Sequence, residues 1–160
     1  MENTTLCYLE QSGCYLMMHR TKKEKDINKG KWIGVGGKFE EGESPHDCVV
    51  REVREETGFH LKSYHFRGIV TFLYGQNQTQ HMHLFTATDF TGQLKTDCPE
   101  GTLQWIKKDD ILKLPLWEGD KIFLNLLKTD RDFFTLKLSY QGDTLIEAVL
   151  DGKLLSLDTI

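Results

Sequence analysis

The sequence predicts an α/β (α+β) fold in which one mixed β-sheet is sandwiched between helices. Three observations carry that expectation. Runs of β-forming residues lie on both sides of one strongly marked helix, which fits a helix-covered sheet better than a bundle or an all-β sandwich. At 160 residues and 39% hydrophobic content, the chain supplies enough apolar material for one core and not comfortably for two. No internal repeat, low-complexity segment or linker interrupts it, so residues 1–160 are expected to form one domain.

Residues 4–10 and 14–19 are rich in β-formers, and Gln11-Ser12-Gly13 between them reads as a hairpin turn. Residues 20–31 are polar and lysine-rich, with Ile27 as their one apolar residue, which predicts an exposed loop leading into Trp32-Ile33-Gly34-Val35 and Gly36-Gly37. Ser44 can cap a helix and Pro45 suits its first turn. That helix should run to about Thr57 and stop at Gly58, which can take the left-handed conformation that closes many helices. Val49, Val50 and Val53 should face the core, to which Phe59 and Leu61 return. Residues 66–74 and 81–88 read as two more strands around a turn containing Gly75-Gln76-Asn77-Gln78, and residues 103–107 as a short one. Leu116, Ile122, Phe123, Leu126 and Leu127 recur at roughly helical spacing and predict a second helix over 116–128. Alternating runs at 133–140 and 144–149 flank Gln141-Gly142-Asp143, a final hairpin that either completes the sheet or forms a contact surface.

The formal charge of -4 argues against a protein that grips duplex nucleic acid with a broad basic surface. Any phosphate it handles is expected to arrive with metal ions. Cys7, Cys14, Cys48 and Cys98 are scattered without a C-x-x-C pair, so free thiols in a reducing compartment are expected rather than disulfides or a zinc site. No stretch approaches the apolar length of a membrane span, and the N-terminus lacks a positively charged segment followed by an apolar run. The expectation is a cytoplasmic protein without a membrane partner.

Glu52, Glu55 and Glu56 fall at i, i+3 and i+4 of the expected helix, which puts three carboxylates on one strip of surface. Such a strip repels itself, and bound cations would offset the repulsion. Hard oxygen ligands favour Mg²⁺, or Mn²⁺, over zinc. A merely solvated acidic face is the bland alternative for any helix of this composition. The flanking residues argue against it.

Gly37, Glu43, Arg51, Glu52, Val53, Glu55, Glu56, Gly58 and Phe59 match every fixed position of the pattern G-x5-E-x7-R-E-U-x-E-E-x-G-U, where U is a bulky apolar residue. On these residues the chain resembles the Nudix hydrolases. Gly36 and Gly37 let the backbone bend and come close to a ligand. Arg51, one turn from Glu55, can hold a carboxylate in place, with Glu43 sharing that network. The resemblance implies an enzyme that cuts a diphosphate linkage with Mg²⁺, and it makes Glu52, Glu55, Glu56 and the Gly36 carbonyl the expected metal ligands. Metals bridging a diphosphate would neutralise its charge and acidify an attacking water. The general base is expected among Glu52, Glu55 and Glu56, or on a loop, where Glu100 after Pro99 is the candidate; its alternative is an exposed loop glutamate.

Beyond that pattern, Gly30-Lys31-Trp32, the segment 34–38, Leu116-Trp117-Glu118-Gly119-Asp120 and the 133–149 hairpin are similar to the MutT-type branch that includes 8-oxo-dGTP diphosphatases. The similarity implies conversion of 8-oxo-dGTP to 8-oxo-dGMP and pyrophosphate, a nucleotide-pool sanitation role linked to DNA repair; the sequence leaves monomer and homodimer equally open. A base pocket needs an apolar slot with a few placed polar groups, which Phe72, Tyr74, Trp117 and Asp120 would provide beside Gly37 and Lys38. Ile33 stands where similar animal members carry a base-contacting asparagine, and Gly119 replaces one of their paired aspartates. The alternatives are hydrolysis of another diphosphate-linked substrate, such as ADP-ribose or a dinucleoside polyphosphate, and a non-catalytic nucleotide sensor. His81 and His83 are read as hydrogen-bonded rim residues, and Lys22, Lys23 and Lys25 as a solvated charge run.

Overall fold

In a computed structural model, which describes residues 1–76, 78–96 and 98–159, the first hairpin forms where the sequence expects it. β1 (Glu2–Gln11) and β2 (Cys14–Arg20) pair through Glu10↔Tyr15 and Gln11↔Cys14. Beyond those pairs the strands part, and the chain following β3 (Trp32–Ile33) enters the gap. β3 pairs with β2 through Met18↔Ile33 and His19↔Trp32. The chain then crosses to β1: Cys7 N–H donates to the Val35 carbonyl at 2.6 Å, and Thr5 N–H donates to the Gly37 carbonyl at 2.8 Å. This wedge brings the glycine-rich segment into the sheet.

One mixed sheet results. Its order is β3-β2-β1-β5-β4-β7-β8-β9, with β6 (Gly101–Lys107) paired antiparallel to β2. β4 (His60–Tyr74) and β5 (Thr79–Thr91) form its long antiparallel centre, β1 runs parallel to β5, and β7 (Phe134–Gln141) runs parallel to β4. β8 (Thr144–Leu150) and β9 (Lys153–Leu154) continue the edge. The last hairpin therefore completes the sheet. Side chains alternate across a strand, so β1 sends Leu6 and Tyr8 into one core and Cys7 and Leu9 into the other. Helix α1 (Pro45–Thr57) covers the second core with Val49 and Val53, and helix α2 (Asp120–Leu126) covers the first with Phe123 and Leu124. The helix-covered mixed sheet predicted from the sequence is present. All four cysteines are free thiols. Among the described residues no helix is long and apolar enough to cross a membrane.

Two expectations change. The second helix does not span 116–128: a 3₁₀ turn covers Lys108–Lys113, and α2 has only seven residues, Asp120–Leu126. Pro115 disfavours helix at the residue before it, Leu114 is extended, and the Pro115 carbonyl is taken by Trp32 N–H at 2.9 Å, so this stretch is laid against β3 as a strap. The central strands are longer than 66–74 and 81–88, because mutual pairing extends order into their polar ends. Asn77 of the expected turn lies outside the described residues, as do Asp97 and Ile160. Val50 is half-buried but packs against the same core as the fully buried Val49 and Val53, as the sequence expects.

Candidate active site

Local sequence sets α1 in place. The Ser44 hydroxyl accepts Asp47 N–H at 3.1 Å, the Asp47 carboxylate accepts Ser44 N–H at 3.0 Å, and Pro45 begins the first turn. At the other end Gly58 takes φ 85 and donates its N–H to the Arg54 carbonyl. With Val49 and Val53 locked into the core, Glu52 is carried against the glycine wedge. A Cβ added to Gly37 would lie 2.5 Å from the Glu52 carboxyl carbon, and one added to Gly36 would overlap the Thr5 carbonyl. Only glycine permits this approach.

Arg51 joins the loop to the helix. Its Nε and Nη2 donate to the two Glu43 oxygens at 2.7 and 2.9 Å, Nη1 donates to Glu52 at 2.8 Å and to Glu55 at 3.1 Å, and Nη2 also donates to the Lys38 carbonyl at 2.9 Å. The guanidinium holds the Glu43 carboxyl down to about 2, helped by the Glu40 N–H. Glu55 is exposed on the outer side of this network, whereas Glu52 and Glu56 lie inward. Burial, followed by the charges of Glu52 and Glu100, pushes the Glu56 carboxyl up to about 9, with Arg20 acting in the opposite direction. Glu100 is thus brought near Glu56 although 44 positions separate them in the chain.

The loop carrying Glu100 is tied to residues 20–31. Lys22 Nζ donates to the Cys98 carbonyl at 2.8 Å, Lys22 N–H donates to the Glu100 carbonyl at 3.2 Å, and Lys23 pairs with Glu100 at 3.5 Å. Lys22, Lys23 and Lys25 are all exposed, as the expected solvated run would be, and Lys22 and Lys23 in addition brace the Glu100 loop. His81 bonds Thr71 and His83 bonds the Thr4 carbonyl, as rim residues would.

Beside the glycine wedge opens a cavity of about 200 Å³, whose lining includes Gly36, Gly37, Lys38, Phe72, Trp117 and Asp120. Phe72 meets Trp117 edge-on with ring centroids 5.1 Å apart. Lys38 is mostly exposed and pairs with Glu2 at 3.1 Å. Tyr74 is not brought into this cavity. It packs edge-on against Trp117 and lines the neighbouring cleft, which shares Ile27, Phe72 and Gln80 with the cavity. Gly119 has a structural cause: its N–H donates to the Tyr140 hydroxyl at 2.7 Å, and a Cβ there would crowd that hydroxyl at 2.6 Å. Ile27 and Asn28, absent from the sequence-derived site, also line the cavity. Residues 20–31 are mainly exposed but fold across it, and the signal for this was the Asp26-x-Asn28 spacing, which suits a side-chain-to-backbone turn.

Burial pushes the Asp120 carboxyl from its ordinary 3.8 up to about 8, against the pull of Lys31. Between those two pH values the unfolded chain holds fewer protons than the folded one, so this group makes stability fall as pH rises, with no further loss above its folded pKa. An Asp120→Asn variant should therefore gain Tm relative to the unmodified protein from about pH 5 to about pH 8 and hold a constant difference beyond. A pH-independent difference in thermal denaturation would contradict the assignment.

The donor set suits a divalent metal ion. Glu52 and Glu56 face one another near Glu100, Gly37 leaves room beside Glu52, and no hydrogen bond among the described residues is made to the Gly36 carbonyl. Among those residues no three His, Cys, Asp or Glu side chains form a ready cage. Mg²⁺ does not need one, since it commonly uses one or two carboxylates with waters and substrate phosphates.

A NUDIX domain model matches residues 3–127. The chain is 34% identical over 131 residues to the uncharacterized Nudix hydrolase YvcI of Bacillus subtilis (strain 168), covering 79% of each chain. It is 32% identical over 112 residues to the oxidized purine nucleoside triphosphate hydrolase of Mus musculus, covering 69% of this chain and 71% of that one. Its fold superimposes on the mutator MutT protein of Bacillus halodurans with a TM-score of 0.82 and 30% identity, over 96% of this chain and 99% of the other. With the glycine wedge, the capped carboxylate helix and the arginine hub all in one place, the chain belongs to the NUDIX family of hydrolases, which act on pyrophosphate bonds of nucleotide substrates.

Proposed function

We propose that residues 1–160 work as one Mg²⁺-dependent pyrophosphohydrolase of nucleoside triphosphates, which converts 8-oxo-dGTP to 8-oxo-dGMP and pyrophosphate in the cytoplasm and so cleans the nucleotide pool. The observation that carries this reading is the continuity of two spaces. The cavity walled by Phe72 and Trp117, with Asp120 in its lining, also includes Gly37, which lies against Glu52, and Arg20, whose charge acts on Glu56. A base seated in the cavity would leave its phosphates beside Glu52 and Glu56.

A bound divalent ion, Mg²⁺ or Mn²⁺, would neutralise the diphosphate and lower the pKa of a water at its phosphorus. Glu52, Glu56 and the Gly36 carbonyl would hold it through oxygen, and Glu55 would add charge at the outer edge. Arg51 orients Glu52 and ties it to Glu43. Glu100, braced by Lys23, is the carboxylate that takes the proton of the attacking water. Phe72 and Trp117 supply the apolar slot for the base, and Asp120 a polar contact for its edge.

The test is a pyrophosphate-release assay with Mg²⁺ across 8-oxo-dGTP, dGTP, the other nucleoside triphosphates and ADP-ribose. The expected result is the highest kcat/KM for 8-oxo-dGTP, with the monophosphate and pyrophosphate as products. Preference for an ordinary triphosphate or ADP-ribose would remove the sanitation role, and absence of turnover would favour a nucleotide-sensing module.

A further inference from the structure

The base cavity has a polar edge that the hydrolytic reading does not use. Trp117 Nε1 donates to Asn28 Oδ1 at 2.7 Å. An indole N–H can only donate, so the atom that faces it must be the amide oxygen. This contact removes the usual ambiguity between the two amide atoms. The Asn28 NH₂ group then carries two donors that no partner takes among the described residues.

Asn28 is also held in place through its backbone. Its N–H donates to Asp26 Oδ1 at 3.0 Å, the other Asp26 oxygen accepts Arg20 Nε at 2.8 Å, and the Asn28 carbonyl accepts Lys31 N–H at 2.8 Å. A donor fixed at three points loses little freedom when a ligand arrives. Asn28 and Asp120 line the same cavity, and the carboxyl of Asp120 has no hydrogen bond among the described residues although the residue is 4% exposed. Ile33 adds only apolar surface to that lining. Asn28 is half-buried, so a base that displaces water from this edge must carry atoms that satisfy the Asn28 amide donors and the Asp120 carboxyl.

We infer that Asn28 is a specificity-determining residue, which reads the base by donating its amide N–H to an exocyclic carbonyl of an oxopurine nucleotide while Trp117 holds the amide in register. This rests on the reading of the cavity as a nucleotide base site. An aminopurine would set its own NH₂ against the NH₂ of Asn28, leaving donors unpaired, and a site built to hydrogen-bond one group rejects the analogue that lacks it.

The experiment measures binding of dGMP, 8-oxo-dGMP and dAMP by calorimetry without metal, so that no turnover is needed. Asn28→Asp keeps size and an oxygen for Trp117 but removes both N–H donors. It should weaken the two oxopurine monophosphates by about 10-fold while leaving dAMP unchanged or tighter. Trp117→Phe, which frees the amide, should lower the same oxopurine preference to a smaller extent. An unchanged preference in an Asn28→Asp protein of normal Tm overturns the inference, as does failure of all three monophosphates to bind the unmodified protein. Triphosphate turnover would in that case leave the hydrolase reading standing. A shifted preference without turnover would instead remove the hydrolase reading and keep the role of Asn28.

Discussion

Glu56→Gln should lower kcat by about 10³-fold, in the range lost when one positioned acid–base or charge-stabilising group is removed. The carboxyl of Glu56 is mostly buried, and that burial, followed by the charges of Glu52 and Glu100, pushes it up to about 9 against the pull of Arg20. Without a cation, that strip is an electrostatic liability. A bound divalent ion relieves it and stabilises the fold by mass action. Mg²⁺ should accordingly raise the Tm of the unmodified protein and leave that of Glu56→Gln nearly unmoved. The variant without metal should be no less stable than the parent, since glutamine has nothing to ionise. Full activity in a folded Glu56→Gln protein, or an undiminished Mg²⁺ shift, would take Glu56 out of the metal site.

Arg51→Ala should cost about 2–3 kcal/mol of stability and about 10- to 100-fold in kcat. The side chain is 21% exposed, and that of Glu43 is 14% exposed. Their bidentate contact is therefore neither a surface pair worth little nor a fully dry one. Removing the guanidinium strands Glu43 and Glu52, frees the Lys38 carbonyl and loosens the loop that leads into α1. Arg51→Lys should rescue little, because an ammonium cannot span both Glu43 oxygens and Glu52 at once. Urea denaturation reads the first effect. The second should appear in kcat more than in KM, because Arg51 contacts Glu52 and does not line the cavity proposed for the base. Near-native kinetics in a destabilised protein would reduce Arg51 to a structural role.

The chemistry of α1 was legible in the chain because helix signals are short-range. The Ser44–Asp47 cap, Pro45, Gly58 and the spacing of Glu52, Glu55 and Glu56 all act within three or four residues, and the arginine hub needs only the Glu43 loop beside it. The inward placing of Glu56 and the outward placing of Glu55 were not legible. That division depends on which valines the sheet accepts: Val49 and Val53 fit, and Val50 is left half-buried.

The cavity beside the glycine wedge was legible only in pieces. Phe72, Trp117 and Asp120 could be chosen as polar and aromatic candidates, yet Tyr74 resembles Phe72 in sequence and lines the neighbouring cleft instead. Asn28 meets Trp117 across 89 positions of chain. Their meeting requires β1 and β2 to part, the 34–38 segment to fill the gap, and Pro115 to bind Trp32 so that the strap crosses β3. No local propensity encodes such an arrangement. Periodicity, caps and glycine spacing specify elements through neighbours, and so they revealed the family pattern and its carboxylates. The pocket follows from strand register and from the packing of distant segments, whose long-range contacts exist only once the chain has folded.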